Sequence, residues 1–192
     1  MTFRFNSRSL HEPAWSSRLP GVGGPGDNLR GWLIDQGSLT RLMINHCAQQ
    51  AFHVEVVSQR WFEPLHSEQA MLSMRDGEYG LIRQVRLMCG DDYRVFARTI
   101  IPIGSFTGKA RHLSMLKSRP LGAVLFADPK TRRICMQYAR LQQGHKLYQD
   151  ALRHDAQKSG AAIWARRTLF EYANQPLLVN EIFMPVMENI RL

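Results

Sequence analysis

No apolar run of roughly eighteen residues occurs in this chain, and its first residues, MTFRFNSRSLHEP, lack the apolar stretch of a secretory signal. Neither membrane insertion nor export is expected, which leaves a soluble, cytoplasmic protein. Cysteine is scarce: Cys47, Cys89 and Cys135 are odd in number, far apart and outside any C-x-x-C pair, so a disulfide framework is not expected. The 7 histidines show no H-x-x-x-H or other clustered ligand spacing, and no phosphate-cradling glycine loop or cofactor motif is present. Neither metal nor organic cofactor is expected. Internal repeats are absent too.

Acidic residues are also few, 16 against 25 basic, which gives a formal charge of +9. A positive field attracts anions, whether polymer or metabolite. Of the basic residues 20 are arginines, the side chain that grips carboxylates and phosphates with a planar, two-pronged donor set. They are dispersed, with only Arg132-Arg133 and Arg166-Arg167 adjacent, and no aromatic-basic motif or zinc-finger spacing accompanies them. A small polyanion therefore suits the charge as well as nucleic acid does.

At 192 residues with 44% apolar content the chain fits one domain. Residues 1–27 end in LPGVGGPGD, whose glycines and prolines oppose regular structure, and read as a flexible N-terminal extension to a single domain over 28–192. The start carries Arg4, Arg8 and Arg18 against Glu12 alone, a composition shared by organellar transit segments and disordered bacterial extensions; the extension is favoured. LRGWLIDQ has helical spacing at Leu29, Trp32 and Leu33, and after Gly37 a second helix opens with Ser38 as its N-cap.

FHVEVVSQR alternates Phe52, Val54 and Val56 against His53 and Glu55, the period of a half-buried strand. GLIRQVRLMCGDDYRVFARTIIPI holds two strands around a Gly90-Asp91-Asp92 hairpin turn. TGKARHLSMLKS reads as a helix, PLGAVLFAD as a shorter helix or loop, and RRICMQYARL, ARRTLFEYA and PLLVNEIFMP as three further strands. QQGHKLYQDALRHDAQKSG is polar, and flexible or helical. Helices first and then mostly hairpin-linked strands predict an α+β fold with an antiparallel sheet covered by helices.

Strand parity singles out two charges. Leu81, Arg83, Val85 and Leu87 share one face, as do Leu177, Val179, Glu181 and Phe183. An arginine and a carboxylate thus point with apolar sets, where an unpaired charge costs several kcal/mol or more. Each needs a partner, a water-filled cavity or a ligand, so the sheet is expected to enclose a polar pocket, unless Arg83 and Glu181 simply pair with each other. Ile82, Met88 and Ile182 leave the opposite faces apolar as well. Arg98, in phase with Phe96 and Ile100, is a secondary candidate for anion binding.

LIRQVRLMC with its hairpin and ARTIIP, then RPLGAVLF, then WARRTLF followed by QPLLVNEIFMP, resemble the chorismate pyruvate-lyase family in order and spacing, over roughly Asn28 to Pro185. WLIDQGSLTRLM looks like that family's first helical pair. The resemblance implies an antiparallel sheet under helical flaps, a cofactor-independent carbon-oxygen lyase acting on chorismate, and 4-hydroxybenzoate and pyruvate as products at the entry to ubiquinone biosynthesis. It puts the family's ligand-binding arginine on Arg83, its glutamate on Glu181, and two further contacts on Leu39 and Leu121. Arg98 is the candidate for the second carboxylate, and Glu181 as general acid or base is the alternative to a positioning role.

The expected partner is a small molecule, without nucleic acid, and the expected state is a monomer. Two other readings remain open: a ligand-sensing module of the same fold, and a basic nucleic-acid-binding protein. Residues 1–27 are too short and glycine-rich for a helix-turn-helix.

Overall fold

The computed structural model describes residues 12–47, 51–153 and 162–192. Six antiparallel strands form one sheet in the order β1-β2-β3-β6-β5-β4. They are β1 (Phe52–Phe62), β2 (Gly80–Cys89), β3 (Asp92–Pro102), β4 (Arg132–Leu141), β5 (Ile163–Tyr172) and β6 (Gln175–Phe183). The helices are α1 (Asp27–Ile34), α2 (Leu39–His46), α3 (His66–Met71), α4 (Leu121–Leu125) and α5 (Lys146–Leu152). The α+β reading holds, and so do all six expected strands.

Local chemistry explains the connections. Cys89 pairs with Asp92 across the two-residue turn Gly90-Asp91, and Gly90 takes φ 55, which glycine adopts without steric cost. The β5–β6 turn places Ala173 and Asn174 at φ 53 and 61; Asn tolerates this region, and Ala bears it under the constraint of the ladder on either side. Ser38 caps α2 by accepting from the Arg41 amide at 3.4 Å. The helix expected over 107–118 forms instead as tight 3-10 turns at Gly108–Met115, and α3 lies in a polar stretch that carries no clear helical period.

Both faces of the sheet are covered, so β2 and β3 are buried along most of their length rather than in alternation. On one face, α1 and α2 pack Trp32, Leu33 and Met43 over Val85, Leu87 and Phe183. Trp32 is fully buried and donates its indole N–H to the Ile190 carbonyl at 2.8 Å. Burial on that scale contributes on the order of 4–6 kcal/mol. Further along the same face, Leu113, Leu121 and Leu125 pack over Leu81, Phe170 and Leu177. The opposite face packs α5 against Phe96, Ala165 and Ile182, and Leu72 against Ile82, Ile100 and Leu178.

Three expectations are corrected. On β1, Val54 and Val56 oppose Leu87 and Val85, but only Val54 is buried and Val56, on this edge strand, is 45% exposed; after a bulge between Val56 and Ser58 the alternation changes phase, so that Gln59 and Trp61 oppose Arg83 and Leu81. Residues 12–20, assigned to the flexible extension, are tied to the domain: Ser16 bridges Tyr138, Trp15 stacks on the Arg167 guanidinium at 4.4 Å, and Glu12 accepts from the His66 and Ser67 amides. Residues 1–11 of that extension lie outside the described residues. Finally, Cys47 and Cys89 are joined in a disulfide, which spacing in the sequence gave no reason to expect. Pairing of Phe52 with Cys89 brings the end of β2 beside the chain that leaves α2.

Candidate active site

The two apolar clusters on the helix-covered face leave a polar gap between them. Its floor comes from β2, β3, β6 and β5, and its roof from the Gly37 turn, the start of α2 and the segment Pro120–Gly122. Leu39 and Leu121 open α2 and α4, respectively, and both line the cavity. The helices touch over the cavity, and a Cβ added at Gly122 would come within 2.7 Å of the Thr40 hydroxyl.

Arg83 and Glu181 both line this cavity, in agreement with strand parity. Arg83 registers with Thr99, and Thr99 with Val179, so Glu181 lies two strands across and two residues along. Ideal sheet spacings put their Cα atoms about 12 Å apart, which leaves room for a small ring between the side chains. The alternative in which they pair with each other is not what the fold uses. Arg83 is 4% exposed and its Nη2 donates to the carbonyls of Lys117 and Arg119, at 2.8 and 3.2 Å, just ahead of the Pro120 roof. Its Nε is buried without a partner. Burial lowers the proton affinity of this guanidinium below its ordinary range.

Glu181 pairs instead with Arg166, its neighbour on β5, through Nε. Arg166 is 1% exposed and is further committed through Nη1, which donates to the carbonyls of Trp32, Leu33 and Asp35 at the end of α1. The carboxylate is thereby held in one orientation and coupled to the roof. Arg133 completes the lining: its guanidinium stacks on Phe126 and Phe170, with Nη1 donating to Gln36 O and Nη2 to Gly37 O at 3.3 Å. Sequence reasoning noted Arg166 and Arg133 only as members of adjacent arginine pairs. Phase with Thr168 and Phe170 was the available signal for Arg166, but it required knowing which face of β5 is the inner one.

Arg98 is a correction. It lies on the opposite face of the sheet, where its Nε and Nη2 bind the Glu68 carboxylate at 2.9 and 3.0 Å, and Asn180 donates to the same carboxylate at 2.8 Å. Desolvation works against its charge, but Glu68 overrides this and raises its proton affinity. A guanidinium so occupied, behind the sheet, does not reach the cavity. Arg98 is in phase with Phe96 and Ile100, but that set faces α3 and α5 rather than the site.

A second, more open groove lies beside Glu12, Phe62, Glu63, His66 and Lys146. It mixes both signs of charge and contains no arginine, so it offers no matched anion site. Among the described residues there is no group of three or more His, Cys, Asp or Glu side chains placed to hold a metal ion, and no helix is long and apolar enough to cross a membrane.

Comparison with known proteins agrees with this geometry. Two solved structures share the fold at low identity: the effector domain of PhnF from Mycobacterium smegmatis (TM-score 0.51, 11% identical, 80% of this chain and 91% of that one) and the gene product SA0254 of Staphylococcus aureus (TM-score 0.53, 10% identical, 82% and 93%). Relatives are nearer in sequence. A protein of Aromatoleum aromaticum named "Probable chorismate pyruvate-lyase" is 38% identical over 183 residues, covering 92% of this chain and 95% of the relative. One of the same name from Nitrosomonas eutropha is 36% identical over 163 residues, covering 85% and 90%. The family model described as chorismate lyase matches residues 23–191, and with it the whole sheet and roof of the cavity: this chain belongs to the chorismate lyase family.

Proposed function

We propose that this chain is a chorismate pyruvate-lyase that forms 4-hydroxybenzoate and pyruvate, the entry to ubiquinone biosynthesis, and that Arg83 and Glu181 carry the site. The observation that supports it most is a roofed cavity with Arg83 at one end and an Arg166-held Glu181 at the other. Three guanidinium groups and one carboxylate line it, leaving two net positive charges. Chorismate is a dianion with one carboxylate on the ring and one on the enolpyruvyl ether, so the site and the substrate neutralise each other.

Arg83 takes the ring carboxylate with its unpartnered Nε, and Glu181 accepts a hydrogen bond from the ring hydroxyl that becomes the phenol. Leu39 and Leu121 close on the ring from above. The carbon–oxygen bond to the enolpyruvyl group breaks while the hydrogen on the hydroxyl-bearing carbon passes to the enolpyruvyl methylene. The released fragment is pyruvate, and the ring becomes aromatic, which supplies the driving force. Little covalent help is needed: the residues hold a reactive conformer in a closed, electrostatically matched cavity.

Incubating the protein with chorismate and measuring pyruvate and 4-hydroxybenzoate tests this reading. Stoichiometric formation of both supports it. Binding without turnover would favour the sensing-module reading, which the shared fold of the PhnF effector domain permits.

A further inference from the structure

We infer that Arg133 is the binding residue for the second carboxylate of the substrate, the one on the enolpyruvyl ether, and so distinguishes substrate from product. This rests on the reading above. In chorismate the enolpyruvyl group sits on the ring carbon next to the hydroxyl-bearing carbon. With Glu181 on that hydroxyl and Arg83 on the ring carboxylate, the second carboxylate falls at the Glu181 end of the cavity. A cation is required there.

Among the described residues lining the cavity, the basic side chains are Arg83, Arg133 and Arg166. Arg83 lies at the far end. Arg166 has its Nε on Glu181 and its Nη1 on three carbonyls. Arg133 reaches the same end: it donates to Gln36 and Gly37, the two residues that follow the Asp35 whose carbonyl Arg166 holds at 2.8 Å. Its Nε is buried and has no partner, and its guanidinium carbon lies 5.7 and 5.3 Å from the ring centres of Phe126 and Phe170. Its proton affinity is lowered by burial and then by the nearby charge of Arg166, a repulsion that an arriving anion relieves.

The chemistry gives a discriminating test, because 4-hydroxybenzoate has lost this carboxylate. Wild type, Arg133→Gln and Arg133→Lys are compared for thermal stability, for kcat and KM with chorismate, and for the inhibition constant of 4-hydroxybenzoate. Glutamine keeps an amide donor for the Gln36–Gly37 carbonyls but removes the charge. The expected result is a loss of about 30-fold or more in kcat/KM for Arg133→Gln, partial recovery with Arg133→Lys, and product inhibition within about twofold of wild type. Equal weakening of substrate and product would show that Arg133 only holds the roof turn, and unchanged kinetics would show that it does not meet the anion; either overturns the inference. Failure of the wild-type protein itself to turn over chorismate removes the functional reading as well, and is distinguishable from both.

Discussion

Replacing Arg83 with alanine separates the site assignment from its structural background. The side chain is 4% exposed, its Nη2 is held by the Lys117 and Arg119 carbonyls, and its partnerless Nε is the donor proposed for the ring carboxylate. Truncating one member of a buried, charged hydrogen-bonded pair costs about 2–5 kcal/mol. At roughly 1.4 kcal/mol per tenfold, kcat/KM falls about thirty- to several-thousand-fold.

Folding suffers less. Loss of Nη2 leaves the Lys117 and Arg119 carbonyls without their donor, worth about 1–3 kcal/mol at most, but the substitution also removes a desolvated charge, which acts in the opposite direction. Arg83→Lys restores only part of the activity, since an ammonium keeps the charge without the two-pronged geometry. Continuous detection of released pyruvate measures kcat/KM, and a thermal melt controls for folding. A folded Arg83→Ala protein with near-wild-type kcat/KM refutes the assignment.

Glu181→Gln preserves shape and hydrogen bonding; if positioning is its role, this variant retains far more activity than Glu181→Ala, whereas equally poor variants point to proton transfer. Gly122→Ala puts a Cβ within 2.7 Å of the Thr40 hydroxyl, so the contact between α2 and α4 over the cavity loosens. Pre-steady-state kinetics are expected to show faster product release and weaker inhibition by 4-hydroxybenzoate, and an unchanged burst and inhibition constant would count against a closing roof. His145 accepts from the Gln142 amide through Nδ1 at 3.0 Å, and burial holds its pKa below the ordinary 6.5. The unfolded chain therefore takes up the proton first as pH falls through about 6.5, and stability declines on that side. Urea midpoints between about pH 7 and about pH 5 should fall less in His145→Asn than in wild type, and parallel curves would remove this cause.

Much of this protein is legible in its sequence because strand chemistry is local. The odd parity of Arg83 and Glu181 follows from a side-chain period of two, which needs no knowledge of neighbours, and the hairpin at Gly90-Asp91-Asp92 from its turn residues, although Asp92 proves to pair with Cys89 at the start of β3. The Ser38 cap and the spacing of Leu29, Trp32 and Leu33 likewise fix the roof helices. Sequence alone leaves open which of two apolar faces is covered by what. Arg98 and Arg83 are equally in phase with buried residues, yet one meets Glu68 from α3 behind the sheet and the other faces the cavity.

The partners of the inner charges were likewise invisible. Arg166 meets Glu181 through strand pairing, and carbonyls more than 130 residues away through docking of α1. Arg133 meets the Gln36–Gly37 turn across 97 residues. Such contacts depend on the order of strands in the sheet and on where the helices pack, which no residue's own neighbours along the chain specify. The sequence by itself determined the strands and the two charges at the ends of the site; tertiary packing decided which face became a closed cavity and which arginines surround it, because burial from both sides erases the alternation that would otherwise mark the inner face.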